Sequence, residues 1–415
     1  VVDVFFVARL GADAVATVGL TESLLTLIFA VAMGLSMATT AYVARRIGEK
    51  DPQGASVAAV QSILIGIVLS LLIGAVCAVF APQLLRLMGA SPDVVRVGSG
   101  FTAVLLGGTA TVLLLFLNNA IFRGAGDAVI AMRALWLANI INIILEPCLI
   151  FGWGPFPKWG LTGAAIGTTI GRGTGVVYQL WVLLGGRSRV VVRRQHLRLA
   201  PAVLLRLIRV SLSGIVQFFI GMASWLGLVR IIALFGSSAL AGYTIAVRIL
   251  VFALLPAWGM SNAAATLVGQ NLGAKKPDRA ERSVWLTAFY NMLFLGGVAV
   301  LFILFAGPLI RLFTTDPAVV PIGVACLRFI SYGYVFYAYG MVMVQAFNGA
   351  GDTTTPMTIN LFCYWLWEIP LAYGLAMWAR LGVNGVFLAI TIAESTIAVV
   401  GVLAFRRGRW KKQAI

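Results

Sequence analysis

Eleven long apolar runs set the strongest limit on how this chain can fold. Each is long enough to cross the hydrocarbon core of a bilayer as a helix, which takes about 20 residues. Apolar residues make up 60% of the chain and charged residues 11%, about half the charged share of a soluble domain. The sequence therefore predicts an all-α polytopic membrane protein. The runs lie near residues 17–41, 57–80, 98–121, 129–152, 161–184, 210–235, 240–267, 284–306, 320–347, 357–379 and 383–405.

The loops between these runs predict the orientation of the chain. Residues 1–8 read as the last turns of one further span, which gives twelve, and no secretory leader is expected. Of the 31 Lys and Arg residues, 21 fall in loops on one side and 7 on the other. By the positive-inside rule, the basic side faces the cytoplasm. We therefore expect residues 185–209 and the C-terminus to be cytoplasmic in a plasma (inner) membrane, with no nucleic-acid partner for the net charge of +17.

Short motifs recur in the two halves at an offset of 225 residues. Residues 122–127 (FRGAGD) match 347–352 (FNGAGD), and residues 45–52 lie opposite 270–277. After a slip of three residues, GLTG at 160–163 matches GVNG at 382–385. This predicts an N-lobe at 1–184, a basic cytoplasmic linker at 185–209 and a C-lobe at 210–415.

Each predicted copy has six spans, so both copies enter and leave the membrane on the same side. Two such copies are related by a pseudo-twofold axis along the membrane normal. Repeats of this kind are typical of secondary transporters, whose substrate sites lie near the midplane, although duplicated channels also exist. The repeat thus favours transport over conduction.

The repeated segments resemble a known family. The run at 267–280 (LVGQNLGAKKPDRA), the paired GAGD loops, and NIILEP at 142–147 followed by GLTGAAIGT at 160–168 are similar to motifs of the multidrug and toxic compound extrusion (MATE) family. The resemblance covers essentially the whole chain. It implies two six-helix lobes in a V with a central cleft, alternating access, and export of cationic, amphipathic compounds in exchange for protons or sodium.

Acidic residues inside spans are costly and are by default candidates for function. Asn142 and Glu146 are one helical turn apart and share a face. The resemblance places them with Asp3 and Thr168 in one N-lobe ion-coupling site. Two carboxyl groups in such a site can be charged when they face a cation and neutral after protonation. Alternatively, Glu146 only caps or hydrogen-bonds at the kink expected from Pro147.

The C-lobe carries two further acids within spans, Glu368 and Glu394. They are candidates for secondary coupling groups. In the alternative, structural interpretation, either one pairs with Arg230 or Arg248.

Aromatic and methionine side chains are numerous in the second half of the chain. Tyr337, Trp365, Met222 and Met260 are candidates for a substrate cleft, because π faces attract cations and methionine adapts to varied ligands. The other interpretation is ordinary packing and an interfacial aromatic belt.

The remaining chemistry-bearing residues predict little else. The four cysteines are isolated within apolar runs, so we expect no metal or redox site. His196, the single histidine, lies among arginines and is expected to be in solvent. We therefore expect a monomer without a cofactor, in which H⁺ or Na⁺ is the coupling ion, and not an enzyme. The main alternative is a flippase of the same superfamily that moves a lipid-linked precursor.

Overall fold

The computed structural model describes the backbone of residues 2–413 and the side chains of residues 5–413. In this part of the chain every regular element is a helix. The helices are α1 (Val2–Val7), α2 (Ala12–Gly48), α3 (Pro52–Val79), α4 (Ala81–Leu87), α5 (Pro92–Gly107), α6 (Thr109–Ala125), α7 (Ala128–Phe151), α8 (Gly160–Leu184), α9 (Pro201–Ala233), α10 (Ser237–Gly273), α11 (Pro277–Arg311), α12 (Val320–Tyr332), α13 (Tyr334–Ala350), α14 (Thr354–Asn360), α15 (Ile369–Tyr373) and α16 (Val383–Arg406).

Two π-helical stretches adjoin α15, at Leu361–Glu368 and Gly374–Trp378. Single 3₁₀ turns occur at Ala8–Leu10, Arg194–His196 and Arg409–Lys412.

Each of the eleven predicted runs coincides with helix. Within the described residues, eight segments are long and apolar enough to span a membrane, and the α12–α13 pair, bent by 58°, makes nine. Helix α8 is a weaker candidate because glycine, threonine and Arg172 lower its mean hydropathy, and the segment from Thr354 to Trp378 is divided into short helices. The structure is consistent with the expected twelve spans.

The chain forms two compact units. Unit 1 comprises Val1–Ile47 and Asp51–Ser211, and unit 2 comprises Gly48–Lys50 and Leu212–Ile415. The basic segment after α8 and the start of α9 therefore belong to unit 1.

The internal repeat is visible in the backbone as well as in the sequence. Helices α2 and α10 each have 37 residues, and α6 and α13 each have 17. Each of these pairs begins 225 residues apart. Left-handed conformations also recur at that offset, with φ of 59° and 56° at Lys50 and Lys275, and 87° and 85° at Gly126 and Gly351. The GAGD loops thus end α6 and α13 through the same glycine C-cap.

The expectation that His196 lies in solvent is wrong. Its side chain is 7% exposed, and its Nδ1 accepts a hydrogen bond from the Arg193 backbone N–H at 3.1 Å. A charged neighbourhood in the sequence does not decide the burial of one side chain, because the arginines beside it point outward while the imidazole packs inward.

Candidate functional site

Three of the four residues of the predicted N-lobe site are in direct contact. The Asn142 Nδ2 donates to Glu146 Oε1 at 3.0 Å and lies 3.1 Å from Thr168 Oγ1. The Thr168 hydroxyl donates to the same Glu146 Oε1 at 3.0 Å. Asn142 and Glu146 come from α7 and Thr168 from α8, so the triangle of hydrogen bonds joins two helices.

Glu146 is completely buried, with no exposed surface, and Thr168 is 8% exposed. Burial of a carboxylate is tolerated only where hydrogen-bond donors or counter-charges replace water. Here an amide and a hydroxyl both direct donors to one carboxylate oxygen. The alternative, in which Glu146 only caps or hydrogen-bonds at the kink expected from Pro147, agrees with these contacts in its hydrogen-bonding form; they are made to side chains of α7 and α8.

A stripe of glycines on α8 allows α7 to approach closely. A Cβ placed on Gly167 would lie 3.1 Å from Glu146 Cγ, and one on Gly171 would lie 2.6 Å from the Ala138 carbonyl oxygen. Small residues at every fourth position let membrane helices pack backbone to backbone. The stripe places Glu146 and Thr168 within hydrogen-bond distance of each other. Its members are Gly163, Gly167, Gly171 and Gly175.

The fourth predicted residue, Asp3, lies in α1, but its side chain is outside the described residues. The backbone of α1 packs against both α7 and α8, the helices that carry the other three residues. The Phe6 and Phe151 rings, 6.3 Å apart, join α1 to the end of α7.

The two acids within predicted spans of unit 2, Glu368 and Glu394, have neutral partners. Glu368, 3% exposed, accepts a hydrogen bond from the Ser224 hydroxyl at 3.0 Å, and Glu394 accepts one from the Tyr364 hydroxyl at 3.2 Å. Among the ion pairs of the described residues, none joins either acid to Arg230 or Arg248. The structural interpretation of these acids as partners of those arginines is therefore wrong. Ser224 and Tyr364 were not predicted, since a single serine or tyrosine in an apolar span carries no distinguishing pattern.

Glu368 ends the π-helical stretch Leu361–Glu368, and Pro370 follows within α15. A π-helical turn shifts the side-chain register by one residue and often accompanies functional sites. The same stretch contains Tyr364, so the partner of Glu394 and the acid Glu368 are both placed by this local change of register.

The predicted cleft residues all lie in unit 2. Tyr337 is half-buried and stacks with Tyr334 at 6.4 Å, within the apolar core of the unit. Trp365 is 43% exposed and donates its Nε1–H to the Ile220 carbonyl on α9, the helix of Met222. Met222 and Met260 are half-buried. Within the described part of the chain, no ring contact or hydrogen bond joins these four residues to one another.

A further polar pair in unit 1 was not predicted. The Gln179 Nε2 on α8 donates to Asn119 Oδ1 on α6 at 2.7 Å, and neither side chain is appreciably exposed. Gln179 lies on the same helix as Thr168, three turns further along. Among the side chains that the structure describes, no group of three or more His, Cys, Asp or Glu residues is placed to hold a metal ion.

Comparison with known proteins identifies the family. The MatE family model matches residues 1–148 and 210–374. The chain is 25% identical over 420 residues to a probable multidrug resistance protein NorM of Thermotoga maritima, covering 100% of this chain and 89% of the relative. It is 26% identical over 424 residues to a FAD transporter of Shewanella oneidensis, covering 96% of this chain and 87% of that protein.

A solved structure has the same fold. The crystal structure described as MATE in the bent conformation matches with a TM-score of 0.92 at 27% sequence identity, over 99% of this chain and 91% of that chain. Because the family model matches most of the chain and the structural likeness spans nearly all of it, this multi-pass membrane protein belongs to the MatE family.

Proposed function

We propose that this protein is a secondary active multidrug efflux antiporter, which exports organic cations by alternating access in exchange for protons or sodium ions. The observation that carries the proposal is the buried carboxylate of Glu146, bonded at Oε1 by both Asn142 and Thr168. A residue that costs several kcal/mol to bury inside a membrane is retained where its charge is used.

The hydrogen-bond directions suggest how Glu146 acts as a switch. An ionised carboxylate only accepts, and the two donors on its Oε1 fit that state. If Oε1 takes up a proton, the oxygen becomes a donor and at least one of the two bonds must break or reverse. Because the Thr168 bond joins α8 to α7, its loss or reversal on protonation changes how these helices are held together.

Asp3 would complete the site from α1. Two carboxylates close together repel each other and attract a cation, whereas a proton on one of them removes both effects. Sodium is also compatible with this set of groups, because carboxylate, amide and hydroxyl oxygens are hard ligands. Glu368 and Glu394 are the second candidate pair of coupling groups.

The energy available is sufficient for export. A difference of one pH unit supplies about 1.4 kcal/mol per proton. One coupled proton can therefore sustain about a tenfold accumulation of substrate on the far side, before any contribution from membrane potential.

The proposed cargo is a cationic, amphipathic small molecule. The relative that aligns with the whole chain bears a multidrug resistance name, and the cleft candidates Tyr337, Trp365, Met222 and Met260 are aromatic or soft groups suited to such ligands. The alternatives, a lipid-linked precursor or a dinucleotide such as FAD, carry pyrophosphate and call for several cationic groups. Only Arg172, Arg230, Arg248 and Arg328 lie well within predicted spans, and they are spread over four different helices.

Purified protein in liposomes tests the proposal. A cationic dye is loaded, and a pH gradient and a sodium gradient are imposed in separate experiments. We expect gradient-driven dye movement with one of the two ions. FAD and a fluorescent lipid-linked pyrophosphate serve as competing cargoes. Movement of either of these without dye transport would overturn the assignment of cargo.

A further inference from the structure

The segment that connects α8 to α9 is strongly basic and contains no acid. Between residues 185 and 210 there are seven arginines and neither Asp nor Glu, and all seven are exposed. We name residues 187–209 the basic strap. Its arginines are Arg187, Arg189, Arg193, Arg194, Arg198, Arg206 and Arg209.

Two polar side chains of unit 1 fix the strap in place. Gln61, which has no exposed surface, donates from Nε2 to the Arg198 carbonyl at 2.8 Å and accepts from the Ala200 N–H at 3.3 Å. Asp127, in the first GAGD loop, accepts from the Ser188 hydroxyl at 2.6 Å and the Arg189 N–H at 3.0 Å. The strap is thus bound through its backbone at both ends of its irregular part.

Apolar side chains complete the attachment from within the strap. Val190 is fully buried, and Val192 and His196 are 8% and 7% exposed. The Val192 N–H also donates to the Leu183 carbonyl near the end of α8 at 3.0 Å. Because the inward positions are filled by these residues, the arginines between them are directed outward. The arginines repel one another, so holding them in a fixed array is unfavourable. A linker that only connects two helices would not require such an array.

The strap lies beside the ends of two candidate spans. At the end of α8, Trp181 is 50% exposed and Leu184 is 65% exposed, as expected for side chains that face lipid. The Arg187 guanidinium lies over the Trp181 ring, 3.8 Å from its centroid. Tryptophan concentrates at the level of the headgroups, so this contact places the first arginine of the strap at that depth.

Exposed leucines alternate with the arginines of the strap. Leu197, Leu199 and Leu205 are 66%, 73% and 68% exposed. Apolar and basic side chains on one surface suit a membrane boundary, where leucine reaches the acyl chains and arginine meets phosphate. Water or a nucleic-acid backbone would give these leucines no apolar partner.

We propose that the basic strap binds the phosphate headgroups of anionic phospholipids at the surface of the membrane that the protein spans. Arginine forms bidentate hydrogen bonds with phosphate. Because the array attracts a headgroup with net negative charge and repels the cationic group of a zwitterionic headgroup, it selects anionic lipid. This inference does not depend on the cargo or the coupling ion.

Photocrosslinking tests the location and the selectivity together. The full-length protein is reconstituted with a photoactivatable phosphatidylglycerol or a phosphatidylcholine of the same chains, and the labelled peptides are mapped. We expect phosphatidylglycerol to label residues 187–209 in preference to phosphatidylcholine. The double variant Arg193→Gln/Arg194→Gln should weaken this labelling about 25-fold, because each basic residue near an anionic surface strengthens binding about fivefold. The matched control, Lys275→Gln/Lys276→Gln, removes two exposed charges from unit 2 and should leave it unchanged.

A second variant separates a fixed array from simple net charge. Gln61→Leu keeps all seven arginines but removes the two hydrogen bonds of Gln61 to the strap backbone at Arg198 and Ala200, so phosphatidylglycerol labelling should fall and hydrogen exchange at residues 190–200 should rise. Equal labelling by the two lipids, or phosphatidylglycerol labelling that survives Arg193→Gln/Arg194→Gln, would overturn the proposal. Binding of an acidic protein by the strap, with no preference between the lipids, would do so as well.

Discussion

The Thr168 hydroxyl on α8 donates to the carboxylate of Glu146 on α7 at 3.0 Å. The preceding residue on α8 is Gly167, which packs so closely on Glu146 that an added Cβ would lie 3.1 Å from Glu146 Cγ. The bond and the close helix contact depend on each other. If the helices separate, Thr168 no longer reaches Glu146, and if Glu146 changes its protonation, the donor has no ionised acceptor. The site is therefore both a packing contact and a titratable group.

Gly167→Ala tests the packing side of this relationship. The new Cβ would lie 3.1 Å from Glu146 Cγ and 3.3 Å from its Cα, so α7 must move by a few tenths of an ångström. We expect lower transport in proteoliposomes with only a modest fall in melting temperature. Gly173→Ala is the matched control on the same helix. Its Cβ would meet Thr111 Cγ2 at an ordinary 3.7 Å, and alanine stabilises a helix by up to about 1 kcal/mol over glycine. Equal losses of transport in the two variants would disprove the packing argument.

A larger loss of stability is expected from the substitution of Gly163, which lies one turn before Gly167 on α8. In Gly163→Ala the Cβ would lie 2.4 Å from the Leu149 carbonyl oxygen, a backbone atom that cannot rotate away. We expect a loss of about 1–3 kcal/mol in the free energy of unfolding, the usual cost of overpacking. Thermal unfolding in detergent, compared with Gly173→Ala, measures it. A melting temperature equal to that of the wild type would mean that α7 and α8 are less tightly packed than the structure shows.

The sequence predicted the helices well and the site in part. Spans follow from apolar runs, and the repeat is visible in the motifs, because each depends on local composition. Asn142 and Glu146 share a helix face by spacing alone. The contact with Thr168 was implied only by the family resemblance, since spacing does not tell which helix packs beside α7. The glycine stripe on α8 was present in the sequence as a four-residue period, and it was the signal that could have identified the partner helix.

Other features could not be read from the sequence because they depend on tertiary contacts. Glu368 was open to pairing with an arginine, but its hydroxyl partner Ser224 lies 144 residues away along the chain. His196 lies in the strap, which Gln61 on α3 and Asp127 after α6 hold to the rest of unit 1. No periodicity within residues 185–209 indicates that either contact exists.

The predicted orientation can be checked by cysteine accessibility. In a background without the four native cysteines, Arg194→Cys and Lys158→Cys place single thiols at exposed positions in loops on opposite predicted sides. An impermeant maleimide added to whole cells should label Lys158→Cys and leave Arg194→Cys unlabelled until the cells are opened. The reverse pattern would invert the topology and place the basic strap outside the cell.

A substitution next to Glu368 tests whether this acid of the C-lobe is structural or takes part in ion coupling. Ser224→Ala removes the donor to Glu368 and leaves the carboxyl group in place. If Glu368 is mainly structural, this variant should lower the melting temperature, and the free energy of unfolding should fall by about 1–3 kcal/mol, the cost of leaving a buried acceptor without its donor. Its dependence on the imposed ion gradient should be unchanged. A changed dependence on pH or sodium, with stability retained, would instead place Glu368 among the coupling groups.

Substitution of the acids of unit 1 tests the proposed coupling site. Glu146→Gln keeps the volume of the side chain but cannot be ionised, so the donors from Asn142 and Thr168 meet a neutral amide in every state. We expect gradient-driven efflux to be lost or strongly weakened while the protein remains folded, and Asp3→Asn to abolish it. Asp93→Asn, an exposed carboxylate in a surface ion pair with Arg96, is the control and should transport normally. Glu368→Gln should have a milder effect than either. Dye efflux under an imposed pH gradient, measured with equal amounts of reconstituted protein, compares all four variants. Normal transport by Asp3→Asn together with loss of transport in Glu368→Gln would move the coupling site to unit 2, because a proton that drives export must be bound by the group whose removal stops it.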